Sequence, residues 1–271
     1  MPAHQETDKM LASLEKKISR LYNDAYKDIQ KRSSELLSKM EMSAKMTPEQ
    51  RLYAANKYNR LQAIEKQIAE TLKNTNAEAV RIINKEMPNV YRLNYNDDLK
   101  AFPSGAVNSL SKGAVNSILK EQVTPFKKLS IDSLKDVNEI RRRLTRELTV
   151  GIMQGENISK LARRIKDVAG VSKASSIRIA RTETTRVENS AHQDIGEHGK
   201  KLGFKMKKRW ISTSDDRTRP EHNAADGQVV DIDKPFVVGG EELMYPGDES
   251  GSAWNTINCR CTTINIIDGA D

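Results

Sequence analysis

Three side chains near the C-terminus are of the types that bind zinc. Cys259 and Cys261 are the only two cysteines of the chain, and His222 precedes them. Side chains two positions apart on a strand point to the same face, so both thiols can face one ion. With His222 they form a zinc-type set, to which Asp215 or Asp216 can add a fourth ligand. Because Cys-x-Cys is a shorter spacing than zinc sites usually show, two buried reduced cysteines are the alternative interpretation.

The charged loop before His222 has two possible interpretations. Asp215, Asp216 and His222 can activate water together with a metal ion, as in nucleases. No residue can be assigned as the nucleophile, however, and the spacing is not that of a nuclease motif. Alternatively, Arg217 and Arg219 pair with the carboxylates and fix the loop through hydrogen bonds. We favour this second interpretation and expect no enzyme activity, with a metal-dependent nuclease or a toxin-like enzyme acting on nucleic acid as the alternative.

A second charged cluster lies upstream, on a predicted helix. Arg181, Glu183 and Arg186 flank the apolar stripe of that helix. We expect the two arginines to form ion pairs with the acidic loop and so to tie the helix to the C-terminal region. The complete predicted ion-pair site is Arg181, Glu183, Arg186, Asp215, Asp216, Arg217 and Arg219.

Short β-type segments alternate with turn signals around these side chains. Gln228–Ile232, Pro235–Val238 and Thr262–Ile267 are rich in β-branched residues, as strands are. Turn residues, including Gly239-Gly240, separate them. The pattern predicts a small, mostly antiparallel β-rich unit whose loops carry the charged residues.

Upstream of residue 200 the periodicity is helical. Apolar residues recur at three- and four-residue steps from residue 8 to about 45, and a second stripe begins after a capping signal at Thr47-Pro48. We expect this second helix to end before Pro88, because proline breaks helices. We expect later helices to end at Gly170 and at Gly196 or Gly199.

The sequence therefore predicts an α+β protein. Its parts are a long N-terminal helical arm or hairpin (1–87), an irregular linker (88–104), a helical middle (105–200) and the β-rich C-terminal unit (201–271). No apolar run is long enough to span a membrane, and the N-terminus lacks the apolar segment of a signal peptide. Two closely spaced cysteines fit a reducing cytoplasm.

The net charge of +8 is distributed unevenly. Residues 141–210 carry 18 basic and 7 acidic side chains, whereas residues 211–271 carry 4 and 12. A strongly basic segment attracts a polyphosphate, although pairing with the acidic C-terminal part is the alternative. The predicted DNA-binding residues are Arg141, Arg142, Arg143, Arg146, Lys200, Lys201, Lys205, Lys207, Lys208 and Arg209.

An ordered series of motifs resembles the Mu F-like minor head protein family, which consists of head-morphogenesis proteins of tailed bacteriophages. The series comprises Ala180-Arg181-Thr182-Glu183, Arg186, Asn189, Gly203, Trp210, Asp215 to Arg219, His222, Gly227, Phe236, Pro246-Gly247-Asp248 and Asn258-Cys259-Arg260-Cys261. It covers about residues 150–267, within a predicted Mu F-like domain of residues 105–271.

The resemblance implies a structural protein of the virion. Such a protein is expected to bind the portal and to contact major capsid or scaffolding protein and the packaged double-stranded DNA. We expect it in the host cytoplasm during assembly, then in the head interior near the portal, with possible ejection alongside the genome. In some relatives the domain is fused to a toxin, and we expect none in this chain.

Overall fold

The computed structural model describes residues 2–38, 46–56, 60–107 and 142–268. Arg141 and the remainder of the predicted helical middle between residues 108 and 141 lie outside this part of the chain. The labelled helices are α1 (Pro2–Ser38), α2 (Pro48–Asn56), α3 (Arg60–Leu99), α4 (142–153), α5 (Ile158–Lys201), α6 (Pro220–Ala224) and α7 (Ala253–Thr256), and residues 104–107 are also helical. No helix among the described residues is both long and apolar enough to cross a membrane.

The N-terminus of α2 is capped as the sequence predicts. The Gln50 backbone N–H donates to the Thr47 hydroxyl at 3.3 Å, and the Thr47 N–H donates to the Gln50 side-chain oxygen at 2.9 Å. Pro48 stands at the first helical position, where its missing N–H costs nothing. The capping box is confirmed because it depends only on residues that are neighbours in sequence.

The predicted break at Pro88 is wrong. Helix α3 continues through Pro88 to Leu99, so residues 88–99 are helical rather than irregular. Beyond the proline, Tyr91 and Tyr95 are buried and stack on each other with ring centroids 5.8 Å apart. Burial of these two rings offsets the lost backbone hydrogen bond.

The predicted helix ends at Gly170, Gly196 and Gly199 are also wrong, because α5 runs unbroken from Ile158 to Lys201. At Gly196 a Cβ atom would lie 2.4 Å from the Ile232 side chain, and at Gly199 it would lie 2.6 Å from Phe102. These two glycines allow close packing of the helix rather than ending it.

The C-terminal strands form two small antiparallel sheets. Strand β1 (Met206–Ile211) lies between β2 (Val229–Asp231) and β5 (Thr262–Ile267), and β3 (Phe236–Val238) pairs with β4 (Glu241–Leu243). Gly239 and Gly240 form the β3–β4 turn, and both have positive φ, as a two-residue hairpin turn of this kind requires. The α+β class and the antiparallel β-rich unit are confirmed.

The described residues group into two compact units. Unit 1 contains residues 2–15, 82–107 and 177–268, and unit 2 contains residues 16–38, 46–56, 60–81 and 142–176. Each has its own apolar core. One apolar core cluster of unit 1 comprises Trp210, Ala225, Phe236, Val238, Leu243, Cys259 and Cys261. The core of unit 2 is Ile29, Ala55, Ile64, Ile68, Leu72, Leu144, Leu148, Ile152, Leu161, Ile165 and Val168.

Candidate functional site

Polar side chains in the C-terminal part of α5 form hydrogen bonds to the backbone of residues 258–261, the segment that precedes β5. The Thr185 hydroxyl donates to the Cys259 carbonyl at 2.7 Å, and the Asn189 amide donates to the Cys261 carbonyl at 3.2 Å. The Thr182 hydroxyl accepts the Asn258 backbone N–H at 3.1 Å. Residues three and four apart share one helix face, so a single stripe of α5 satisfies the backbone of this segment. We call Thr182, Thr185 and Asn189 the polar stripe.

The predicted pairing of Arg181 and Arg186 with the acidic loop is wrong. Arg181 pairs with Glu15 at 2.6 Å. Arg186 is buried and pairs with Glu183 at 3.0 Å and with Glu249 at 3.6 Å. These three carboxylates lie outside the Asp215–Asp216 loop. The helix is therefore connected to the β-rich unit by the hydrogen bonds of the polar stripe and by the Arg186–Glu249 pair.

Asp215 instead forms a bidentate pair with Arg260, at 2.5 and 2.7 Å. The Arg217 N–H and the Thr218 hydroxyl also donate to it, at 3.1 and 3.0 Å. The Arg260 guanidinium, followed by these donors, holds the pKa of Asp215 well below its usual range. This Asp–Arg pair connects the loop to the segment before β5. The ion-pair site predicted from the sequence did not include Arg260, which lies between the two cysteines.

The other charged residues of the loop have separate contacts. Arg217 lies 3.5 Å from Asp215 and is largely exposed. Arg219 donates to the Ile257 carbonyl at 2.7 Å, and its guanidinium lies over the exposed Trp254 ring, 5.5 Å from the centroid. Asp216 has no ion pair among the residues that the structure describes.

His222, Cys259 and Cys261 come together as the sequence predicts, and we call them the Cys2His cluster. The Nδ1 atom of His222 lies 3.5 Å from the Cys259 Sγ and 3.4 Å from the Cys261 Sγ. All three side chains are buried. The cluster includes no carboxylate from the described residues, so the predicted fourth ligand, Asp215 or Asp216, is not part of it. Zinc binding itself remains a prediction.

The two thiols of the cluster have different environments. The pKa of Cys259 is lowered, chiefly by its hydrogen bond with Cys261, and the Cys261 backbone N–H also points to the Cys259 Sγ at 3.5 Å. The pKa of Cys261 is raised, first by the same partner and then by burial, while His222 opposes the change. The contact between the two thiols thus shifts their pKa values in opposite directions.

The predicted DNA-binding residues on and before β1 do not form one free cationic surface. Lys208 is fully buried and donates to the Gln193 side chain at 2.9 Å and to the Met244 carbonyl at 2.7 Å, so its assignment to DNA is wrong. Alternation along β1 places it on the inner face with Met206 and Trp210. That alternation was visible in the sequence.

Several of the remaining cations near β1 have acidic partners. Lys200 pairs with Asp233 at 2.8 Å, and Lys207 pairs with Asp268 at 3.3 Å. Lys201, Lys205 and Arg209 are exposed.

In unit 2, a basic groove of about 500 Å³ includes Arg143 and Arg146 from the predicted set. Arg142 is exposed on the same helix. Lys160 and Arg163, which the sequence-based choice missed, line the same groove. Their spacing of three residues at the start of α5 places both cations on one helix face, and this could have been recognised in the sequence.

Arg164 also lines the groove but is already neutralised. It donates to Glu156 at 2.7 and 3.0 Å and to Glu147 at 2.6 Å. The groove lining as a whole has five basic and three acidic residues, so its remaining charge is positive.

Comparison with known proteins places this chain among phage-related sequences. The family model "Phage Mu protein F like protein" matches residues 142–264. Minor head protein GP7 of Bacillus phage SPP1 is 25% identical over 269 residues, which are 97% of this chain and 85% of GP7.

Bacterial proteins also match about half of the chain, among them the following two. The NAD(+)--arginine ADP-ribosyltransferase EFV of Enterococcus faecalis (strain ATCC 700802 / V583) is 36% identical over 53% of this chain, but the match spans only 29% of that protein. YqbB of Bacillus subtilis (strain 168) is 27% identical over 53% of this chain and 52% of its own length. No solved structure matches the chain significantly. Residues 142–264 are therefore the part of this chain that resembles the Phage Mu protein F like family.

Proposed function

We propose that this protein is a minor head protein of a tailed bacteriophage. The observation that carries the proposal is the similarity to GP7, which extends over 97% of this chain and 85% of GP7. The match includes the N-terminal helices as well as the β-rich unit. A role that needs both parts of the chain is therefore favoured over one confined to the Mu F-like region.

In this role the protein acts as an adaptor during head assembly. It binds the portal protein, with major capsid or scaffolding protein as a further neighbour, and it contacts the packaged double-stranded DNA. It assembles in the host cytoplasm, stays in the head near the portal and can leave with the genome. Support for the DNA contact comes from the exposed cations Lys160 and Arg163 in the basic groove, because unpaired surface cations bind phosphates by releasing counterions.

Co-sedimentation with the portal protein from the same genome tests the assembly role. We expect the full chain to sediment with portal oligomers and to remain with them in procapsids. Failure to associate with portal oligomers at micromolar concentrations and physiological salt would contradict the adaptor role.

Charge reversal tests the DNA contact separately. We expect Lys160→Glu with Arg163→Glu to weaken retention of duplex DNA and to reduce its dependence on salt. A matched control is Lys66→Glu with Lys73→Glu, which changes the net charge equally at exposed positions of α3. Equal losses in both double variants would indicate nonspecific attraction by net charge and would contradict a contact at the groove.

The alternative function is that of an enzyme acting on nucleic acid. It is motivated by the Cys2His cluster, which could hold a catalytic metal ion. The similarity to a protein named as an arginine ADP-ribosyltransferase covers 29% of that protein and does not indicate a nucleic-acid substrate. A plasmid-nicking assay with added divalent metal separates the two functions. Nicking by the wild type that is lost in His222→Ala would favour the enzyme, and we expect no nicking by either protein.

A further inference from the structure

The distances within the Cys2His cluster fit a metal ion. In a tetrahedral zinc site with Zn–S near 2.3 Å and Zn–N near 2.1 Å, sulfur and nitrogen ligands lie about 3.5 Å apart. The two Nδ1–Sγ distances of His222 are 3.5 and 3.4 Å. All three potential ligand atoms lie within 4.8 Å of one another. One ion can therefore contact all three without rearrangement of the backbone.

The orientation of His222 allows one ring nitrogen to bind a metal ion together with both sulfur atoms. Its Nδ1 atom faces both sulfur atoms, while its Nε2 atom is buried and has no hydrogen-bond partner among the described residues. A neutral imidazole has one acceptor nitrogen, so without a metal two thiols compete for a single lone pair. A cation bound between the three atoms satisfies the imidazole and both sulfurs together.

The surrounding contacts fix the ligands in place. The polar stripe binds the carbonyl of Cys259 through Thr185 and the carbonyl of Cys261 through Asn189. The Trp210 ring packs edge-on against His222, with centroids 5.8 Å apart. Such supporting contacts reduce the reorganisation that metal binding needs. The Cys261 N–H pointing to the Cys259 sulfur also favours a thiolate.

We propose that His222, Cys259 and Cys261 bind one Zn²⁺ ion, with a water molecule as the fourth ligand. The cluster contains no fourth His, Cys, Asp or Glu from the part of the chain that the structure describes. Two thiolates balance the charge of the ion, so the buried site is neutral overall. The ion joins α6 to the segment before β5, which are distant in sequence, and so stabilises the fold of unit 1.

Metal analysis of the full-length chain, purified without a polyhistidine tag, tests the proposal. We expect one zinc per chain, and we expect Co²⁺ to replace it with the strong thiolate-to-cobalt absorption that Cys ligation produces. Cys259→Ser and Cys261→Ser should each lose the metal. The control His198→Gln removes a histidine outside the cluster and should keep it. Zinc retained at full stoichiometry in both cysteine variants would overturn the proposal.

A second measurement does not depend on the folding of the cysteine variants. The background Trp254→Phe leaves Trp210 as the only tryptophan, and its ring touches the proposed ligand His222. We expect Co²⁺ to quench Trp210 fluorescence at one equivalent in chelator-treated protein, and Zn²⁺ to reverse the quenching. If cobalt neither quenches nor absorbs in protein shown by circular dichroism to be folded, the site does not exist.

Discussion

Replacement of Thr185 by valine tests whether the polar stripe holds the β-rich unit against α5. The Thr185 hydroxyl donates to the Cys259 carbonyl at 2.7 Å, and both residues are buried. Valine keeps the shape of threonine but removes the donor. The adjacent Thr184 provides a matched control, because it is also buried and its hydroxyl donates to the Ala180 carbonyl of its own helix at 2.8 Å.

The two substitutions should differ in cost. Loss of the Thr185 hydroxyl leaves the Cys259 carbonyl without its donor in the interior, and an unsatisfied buried acceptor costs about 1–3 kcal/mol. The Ala180 carbonyl keeps its helical backbone hydrogen bond when Thr184 becomes valine, so we expect a change of no more than about 0.5 kcal/mol there. Helix propensity cancels from the comparison, because the same pair of residue types is exchanged on one helix.

Urea unfolding followed by Trp210 fluorescence measures this difference in unit 1. In the Trp254→Phe background, Thr185→Val should lower the midpoint with an unchanged slope, while Thr184→Val should stay close to the parent protein. Equal losses of unfolding free energy in the two variants would refute the reasoning. A neutral Thr185→Val would do the same, because it would mean that the Cys259 carbonyl does not depend on this donor.

Three further predictions concern buried groups and close packing. Burial lowers the pKa of Lys208 to about 8 from 10.5, so the unfolded chain binds more protons than the folded chain between these pH values. The unfolding free energy of the wild type, compared with that of Lys208→Met, should therefore rise by about 3 kcal/mol from pH 8 to pH 10.5. A difference in urea unfolding that stays constant over this range would contradict the prediction. Burial alone would lower the pKa of His192, but Asp98, at 2.7 Å, raises this pKa above 6.5. The extra unfolding free energy of the wild type over His192→Gln should therefore decline as the pH rises from 6.5 through the pKa of the folded state. An NMR titration of the His192 ring should show the raised pKa. In Gly196→Ala the added Cβ would lie 2.4 Å from the Ile232 side chain, so the unfolding free energy should fall by about 1–3 kcal/mol. In the control Gly170→Ala the nearest atom would be 3.8 Å away, so the change should be neutral or stabilising in the same thermal or urea assay.

Features that depend on neighbouring residues could be predicted from the sequence. Strand β5 has the bounds Thr262–Ile267 that its β-branched residues indicate, and the capping box of Thr47 and Gln50 has the expected hydrogen bonds. The shared orientation of the two cysteines was also predictable, because residues two positions apart in extended chain point to one face, whereas the approach of His222 depends on the tertiary fold. In these cases local geometry and tertiary structure agree.

Helix ends could not be predicted from glycine and proline alone. Pro88 and Gly170 are strong breaking signals locally, but both lie inside long helices. Propensity is worth about 1 kcal/mol for glycine and about 3 kcal/mol for proline, and packing of neighbouring side chains exceeds these values. After Pro88, the buried rings of Tyr91 and Tyr95 supply such packing.

Which acidic and basic side chains pair with each other also could not be predicted from the sequence, because each charged residue has many possible partners of opposite charge. Asp215 pairs with Arg260 rather than with Arg181 or Arg186, since residues on adjoining loops meet only in the folded chain. The polar stripe has a clearer signal. Threonine and asparagine at three- and four-residue steps mark one helix face, yet that pattern looks solvent-exposed until its backbone partners are known.

Several residues that carry the family resemblance have structural contacts that explain their type. Asn189 binds the Cys261 carbonyl, Asp215 binds Arg260, and Trp210 lies in the core of unit 1. These contacts determine how a helix packs against a β-rich unit, and they do not by themselves determine an activity. Function depends on the particular site that a fold carries. This explains how a minor head protein and a much longer protein named as an ADP-ribosyltransferase can both resemble the same chain. The proposed role in the phage head would depend on surfaces outside these motifs, and the basic groove of unit 2 is the clearest candidate.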